Sequence, residues 1–251
     1  MMTRSGLLAA ALVAMGTMAV GIGEVRADII RSGVFTSDHC TGDCGVSTTN
    51  PGALITVTDH QNGTLDFSIL TAPDYVIIGS GFQASFAFNL IGNPLITYSN
   101  VVPPGTYSIP GGIAPNQNAG SLMVDGFGNF EYGIDVINNG FGSNAGHTLS
   151  FSISGSGLDI TDLAEFSTGG SPPALMALDV ARVSSGGAIT GAIDLSAQLT
   201  PGQQCFPGPC TTDVPEPSAL ALLGGGLLGL GTLFSFLRWR RRDDDCNALA
   251  S

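Results

Sequence analysis

Through the middle of the chain, apolar side chains return at every second position. Leu149, Phe151 and Ile153 alternate with Ser150, Ser152 and Ser154, and Phe130, Tyr132, Ile134 and Val136 alternate with Glu131, Gly133 and Asp135. Ala84, Phe86, Phe88 and Leu90 follow the same rule, as do Leu65, Phe67 and Ile69. Successive side chains of a strand point to opposite faces, so period two with one polar face predicts half-buried antiparallel strands. Residues 53–58, 95–98, 175–183 and 189–195 are further strand candidates. Turn formers separate these runs: Asn62-Gly63, Gly79-Ser80-Gly81, Pro103-Pro104-Gly105, Pro110-Gly111-Gly112, Asn138-Asn139-Gly140 and the stretch 169–173. Asn62-Gly63, set between two alternating runs, predicts a hairpin; with Thr64 it also matches a glycosylation acceptor, and the turn is the reading preferred here. A helix is expected only over residues 158–166, for one or two turns. About eight to ten short strands punctuated in this way define an all-β chain, a single antiparallel β-sandwich or jelly-roll-like ectodomain over residues 28–200.

Both ends break the pattern. Residues 1–27 read as a secretory signal peptide: Arg4 supplies the positive start, residues 7–22 the apolar stretch, and Val25-Arg26-Ala27 the approach to a cleavage site. The mature chain is then expected to begin near Asp28. At the other end, residues 218–237 form an uncharged apolar run. As a helix it would reach roughly 30 Å, the thickness of a bilayer's hydrocarbon core. Arg238, Arg240, Arg241 and Arg242 follow at once and mark a cytoplasmic side, with Trp239 at headgroup level. A buried core helix would need an amphipathic stripe, and this run interrupts its apolar residues only with Thr232, Ser235 and glycine. The glycines are tolerated in a membrane; Gly225 and Gly229 form one G-x-x-x-G, which glycine richness alone explains.

Immediately before this run stands Val214-Pro215-Glu216-Pro217. A Pro-Glu-Pro, a glycine-rich span and a terminal arginine cluster together resemble the PEP-CTERM sorting domain of Gram-negative envelope proteins. The resemblance covers residues 214–242. It implies recognition by an exosortase, an integral-membrane cysteine protease, and removal of the segment near the Pro-Glu-Pro. It also implies transient residence in the inner membrane. Residues 201–213 read as a Cys/Pro-rich linker, and the cytoplasmic tail at 243–251 departs from the pattern, since such proteins usually stop within a few residues of the basic cluster.

Composition narrows what the ectodomain does. Residues 28–213 carry fifteen acids against two bases, Arg31 and Arg182, and the chain has no lysine. Such a surface repels nucleic acid and anionic lipid, which excludes nucleic-acid binding. It suits solubility outside the cell, and secondarily divalent cations. Cys40, Cys44, Cys205 and Cys210 form two close pairs, compatible with export to an oxidising compartment; the four allow three pairings, local or crossed. Cys246 would face the cytoplasm.

Candidate chemistry is sparse. The sequence has no nucleophile-elbow, zinc-protease, phosphate-loop or EF-hand motif. His39, Cys40 and Cys44 could supply zinc ligands, although their spacing matches no familiar site. Asp38 and Asp43 could join loop carbonyls around calcium. Asp159, Asp162 and Glu165 would share one side of a helical turn, either as a solvated face or as carboxylates of a glycoside-acting enzyme. His60 and His147 carry no signal beyond surface positions. The expected function is therefore that of a non-enzymatic, exosortase-sorted envelope or matrix protein, structural or adhesive and linked to exopolysaccharide or biofilm. The alternatives are a carbohydrate-binding module, calcium-assisted or not, and an ordinary single-pass protein that keeps its anchor.

Overall fold

The computed structural model describes residues 26–79, 84–109, 122–137, 145–186 and 189–202. All lie in the first of two compact units of the chain, Met1–Pro209. Sixteen strands occur among them, and every pairing between strands is antiparallel.

The first sheet has six strands in the order β16-β1-β3-β4-β12-β7. They are β1 (Ile29–Phe35), β3 (Ala53–Asp59), β4 (Thr64–Thr71), β7 (Thr97–Val102), β12 (Thr148–Ser154) and the short β16 (Thr200–Pro201). Alternation is clean here: Leu65, Phe67 and Ile69 are buried on β4 while Ser68 and Leu70 face solvent. The hairpin joining β3 to β4 is where the sequence places it, with Asp59 paired to Leu65 and Gly63 at φ +83°.

The second sheet runs β2-β15-β14-β6-β11-β8, with β5 also paired to β14. Its members are β2 (Ser37–Cys40), β5 (Tyr75–Ile77), β6 (Phe86–Phe88), β8 (Thr106–Ser108), β11 (Tyr132–Ile137), β14 (Met176–Arg182) and β15 (Thr190–Leu195). Phenylalanines join the two sheets across a shared core. Phe67 and Phe151, cross-strand partners on β4 and β12, stack at 4.6 Å, and Phe88 of the second sheet lies 5.3 Å from Phe67. Phe86 meets both first-sheet rings, at 6.3 and 5.8 Å. Such ring pairs stabilise by about 0.5–1.5 kcal/mol beyond the area they bury. Two antiparallel sheets thus pack through one apolar layer, a sandwich-like arrangement.

The second sheet departs from the half-buried expectation. Every residue from Ala84 to Leu90 is buried, as are Met176 to Ala181. Its outer face is covered by a small third sheet of β9 (Leu122–Val124), β10 (Gly128–Phe130) and β13 (Thr168–Gly169). Leu122, Val124, Phe127 and Phe130 pack there against Ala87, Ala177 and Ala192. Alanine on the covered face lets a second layer approach closely, where larger side chains would hold it off.

Three other expectations are corrected. The run 130–136 is two strands, because the backbone leaves one sheet for another at Glu131, whose N–H donates to Asn89 Oδ1 at 2.7 Å. The strand expected at 95–98 lies at Thr97–Val102, an edge strand whose side chains are mostly uncovered. The helical stretch is a 3-10 turn at Ile160–Ala164, shorter than the 158–166 span suggested. Cys40 and Cys44 are joined by a local disulfide with Cα atoms 5.5 Å apart, which removes the crossed pairings of these two. Among the described residues no helix is long and apolar enough to cross a membrane.

Candidate functional site

The described surface carries a cleft of about 640 Å³ at one end of the first sheet. Two turns form its walls. One is the β3–β4 hairpin with Gln61, Asn62 and Gly63; the other is the 155–161 segment that leads from β12 into the 3-10 turn. Asp59 ties the walls together: its carboxylate is buried and accepts N–H bonds from Gln61 at 2.6 Å and Ile160 at 3.2 Å. Gly155 N–H donates to Gly63 O at 2.9 Å, and a Cβ on Gly63 would stand 2.5 Å from Gly155 O. Glycine is required there both by the left-handed backbone and by the close approach.

Arg31, on β1, lines the same cleft. Its Nε is buried without a hydrogen-bond partner, and among the described residues its side chain closes no salt bridge. Arg182, by contrast, is paired with Asp74 at 2.8 Å. Asp159 also lines the cleft. Hydrogen bonds from the Thr161 hydroxyl and backbone hold its carboxyl below the usual range, with a smaller contribution from the charge of Arg31. Ile29 and Leu158 supply the apolar part of the lining. Arg26 is a lining residue too, and Gln61 Nε2 donates to Ala27 O; both Arg26 and Ala27 belong to the leader that the sequence reading removes.

Beside the cleft, His60 bridges two acids. Its Nδ1 lies 3.1 Å from Asp28 and its Nε2 2.8 Å from Asp66. The bond to Asp66 raises the imidazole pKa, partial burial opposes this, and Asp28 adds to the rise. Residue Asp28, the expected first residue of the mature chain, is thereby held against the hairpin.

Other residues singled out from sequence have separate roles. Cys40 and Cys44 bond to each other, and the His39 ring packs edge-on against Phe127 at 4.7 Å, so the three are not gathered as zinc ligands. Asp38 accepts from Val46 N–H at 3.1 Å and Asp43 from Gly45 N–H at 2.7 Å, which makes both of them fasteners of the loop after β2. Among the described residues no group of three or more His, Cys, Asp or Glu is placed to hold a metal ion. Asp159 and Asp162 form a capping box on the 3-10 turn: Asp159 accepts from Thr161 N–H at 2.7 Å, and Asp162 accepts from Asp159 N–H at 2.9 Å. Glu165 closes that turn. His147 Nδ1 lies 3.1 Å from the Thr71 hydroxyl. Val214, Pro215, Glu216 and Pro217, the apolar run, Arg238, Arg240, Arg241 and Arg242, and Cys205 and Cys210 lie outside the described residues.

Sequence reasoning missed the carboxylates of the second sheet. Asp194 is fully buried on β15, where burial raises its pKa while the Ser37 hydroxyl, donating to it, works the other way. Asp179 is buried on β14 and Asp135 is half-buried on β11. Each sits at a polar position of an alternating strand, the usual signature of a solvated face, yet Asp179 and Asp194 are buried and Asp135 is half-buried. Comparison with known proteins finds no matching protein-family model, no matching curated protein and no matching solved structure.

Proposed function

We propose that this is an exported envelope protein, sorted through a PEP-CTERM signal and cut by an exosortase. On this reading residues 1–27 direct export and residues 218–237 hold the chain transiently in the inner membrane. Cleavage near Pro215-Glu216-Pro217 then releases the β-sandwich or jelly-roll-like ectodomain to the cell surface or the extracellular matrix. The observation that carries it is the C-terminal order of Val-Pro-Glu-Pro, apolar run and arginine cluster, on a chain that also begins with a leader. The local Cys40–Cys44 disulfide supports an oxidising destination. The ectodomain's role is structural or adhesive and non-enzymatic, with exopolysaccharide as its partner. In a host carrying an exosortase, replacing Pro215, Glu216 and Pro217 with alanine blocks release from the membrane fraction. An ordinary single-pass protein would stay in the membrane with or without the replacement.

The second reading, a carbohydrate-binding module, is favoured by one observation: an open cleft whose lining combines Gln61, Asn62, Ser156 and Thr161 with Arg26, Arg31, Asp59 and Asp159. It needs no cation.

A further inference from the structure

We infer that the cleft between the β3–β4 hairpin and the 155–161 segment binds an oligosaccharide bearing a carboxylate, with Arg31 as its anion anchor. This rests on the adhesive reading and gives it a ligand class and a location.

Bases are scarce in this ectodomain, so their use is informative. Arg182 is consumed by Asp74, whereas Arg31 has a buried Nε with no acceptor and closes no salt bridge among the described residues. The Nε is shut off from solvent, so the donors offered to the cleft are the two Nη groups, which make no hydrogen bond among the described residues and would match a ligand carboxylate through two parallel bonds. The acids in the same walls do not fill that role. Both oxygens of Asp59 are taken by the backbone of Gln61 and Ile160; Asp159 accepts from Thr161 through Oδ1, and the charge of Arg31 acts on it at a distance without a salt bridge.

The rest of the lining suits hydroxyl groups. Asn62 and Ser156 are exposed and uncharged, and removal of the leader frees the Gln61 amide from Ala27 O. A Cβ on Gly157 would meet nothing within 4 Å, so the wall there is open backbone. Ile29, 39% exposed, offers an apolar patch for the C–H face of a sugar ring. With Arg26 still in its wall the cleft measures about 640 Å³, within the range of small-ligand sites, and removal of the leader opens it further on that side. A peptide would instead seek a free strand edge or deep apolar pockets, and two turns supply neither. The chain's net charge of -12 disfavours dense polyanions, so the ligand is a saccharide with isolated uronate groups in a mostly neutral backbone.

The test uses the leader-free full chain, purified in detergent with its C-terminal segment attached, so that binding is measured independently of sorting. Neutral tetrasaccharides that carry a single galacturonate, glucuronate or mannuronate residue are titrated by calorimetry, each beside its methyl ester. Binding of at least one acid, about tenfold weaker for its ester, is expected. Arg31→Gln should weaken it by a similar factor. Ser156→Trp, which blocks the mouth and leaves Arg31 in place, should abolish it, and this variant decides the matter if Arg31→Gln does not fold. No binding by any acid, equal binding of acid and ester, or unchanged binding in a folded Arg31→Gln chain overturns the site. Because release by exosortase is assayed separately, a chain that is sorted but binds nothing refutes only the cleft, and one that binds but is not sorted refutes only the sorting.

Discussion

The carboxylate of Asp59 accepts the backbone N–H of Ile160 at 3.2 Å, across a separation of 101 positions in the chain. Through it the end of β3 holds the 3-10 turn that follows β12, and the cleft keeps its shape. Asp59→Ala leaves the N–H groups of Gln61 and Ile160 without that acceptor. Losing a buried hydrogen-bond acceptor costs about 1–3 kcal/mol per stranded group, so a destabilisation of about 3 kcal/mol is expected. Urea denaturation measures it, and an unchanged midpoint would show that the carboxylate does not fasten the two walls.

Gly63 is the second fastening. Alanine there meets both the left-handed backbone, at about 1–2 kcal/mol, and the Gly155 carbonyl 2.5 Å from the new Cβ. Gly63→Ala should therefore lower stability by about 2 kcal/mol or more. Gly157 also has positive φ but open space around it, so Gly157→Ala should cost less. Equal melting temperatures for the two variants would contradict the close approach.

The His60 bridge makes stability depend on pH. Its folded pKa is raised above the ordinary 6.5, so its contribution is complete below about that pH and is lost as pH rises through the folded value. Asp66 behaves in the opposite sense. Burial pushes its pKa up, but bonds from His60 and Ser152 outweigh this and hold it below the ordinary 3.8. Its contribution is present above that value and is lost as pH falls through the depressed one. The pair therefore stabilises most between those limits. His60→Gln should cost more stability at about pH 5.5 than at about pH 8, read from denaturant midpoints. A cost independent of pH would remove the bridge from the account.

The Cys40–Cys44 disulfide closes a short loop, and Cys44 is fully buried. A loop this small contributes about 2 kcal/mol through chain entropy. The double variant Cys40→Ser, Cys44→Ser should lose about that much in denaturant titration and keep its strand content by circular dichroism. Loss of all β signal would mean that the bond holds far more than its own loop.

The first sheet was legible in the sequence because one of its faces is wet. Leu65, Phe67 and Ile69 alternate with residues that solvent can reach, and Asn62-Gly63 marks the turn between two strands of matching pattern. The second sheet was only half legible. A strand covered on both faces loses the contrast that alternation relies on, so Ser85, Asp179 and Asp194 read as surface positions although all three are buried. Short strands such as β5 and β9 contain too few residues to show any period. The cleft was not visible at all. Asp59 and Ile160 are brought together by the register of β3, β4 and β12, which also sets Arg31 of β1 beside the same turns. Asp159 and Asp162 were noticed for their spacing, but their geometry is that of a cap on one short turn.

The central claim is that the C-terminal segment is temporary. Intact-mass spectrometry of the surface-released protein, from cells that carry an exosortase, tests it most directly. The account predicts a chain that begins near Asp28, ends near Pro215-Glu216-Pro217, and lacks residues 238–251. A released form with Arg238 to Ser251 still attached would contradict it.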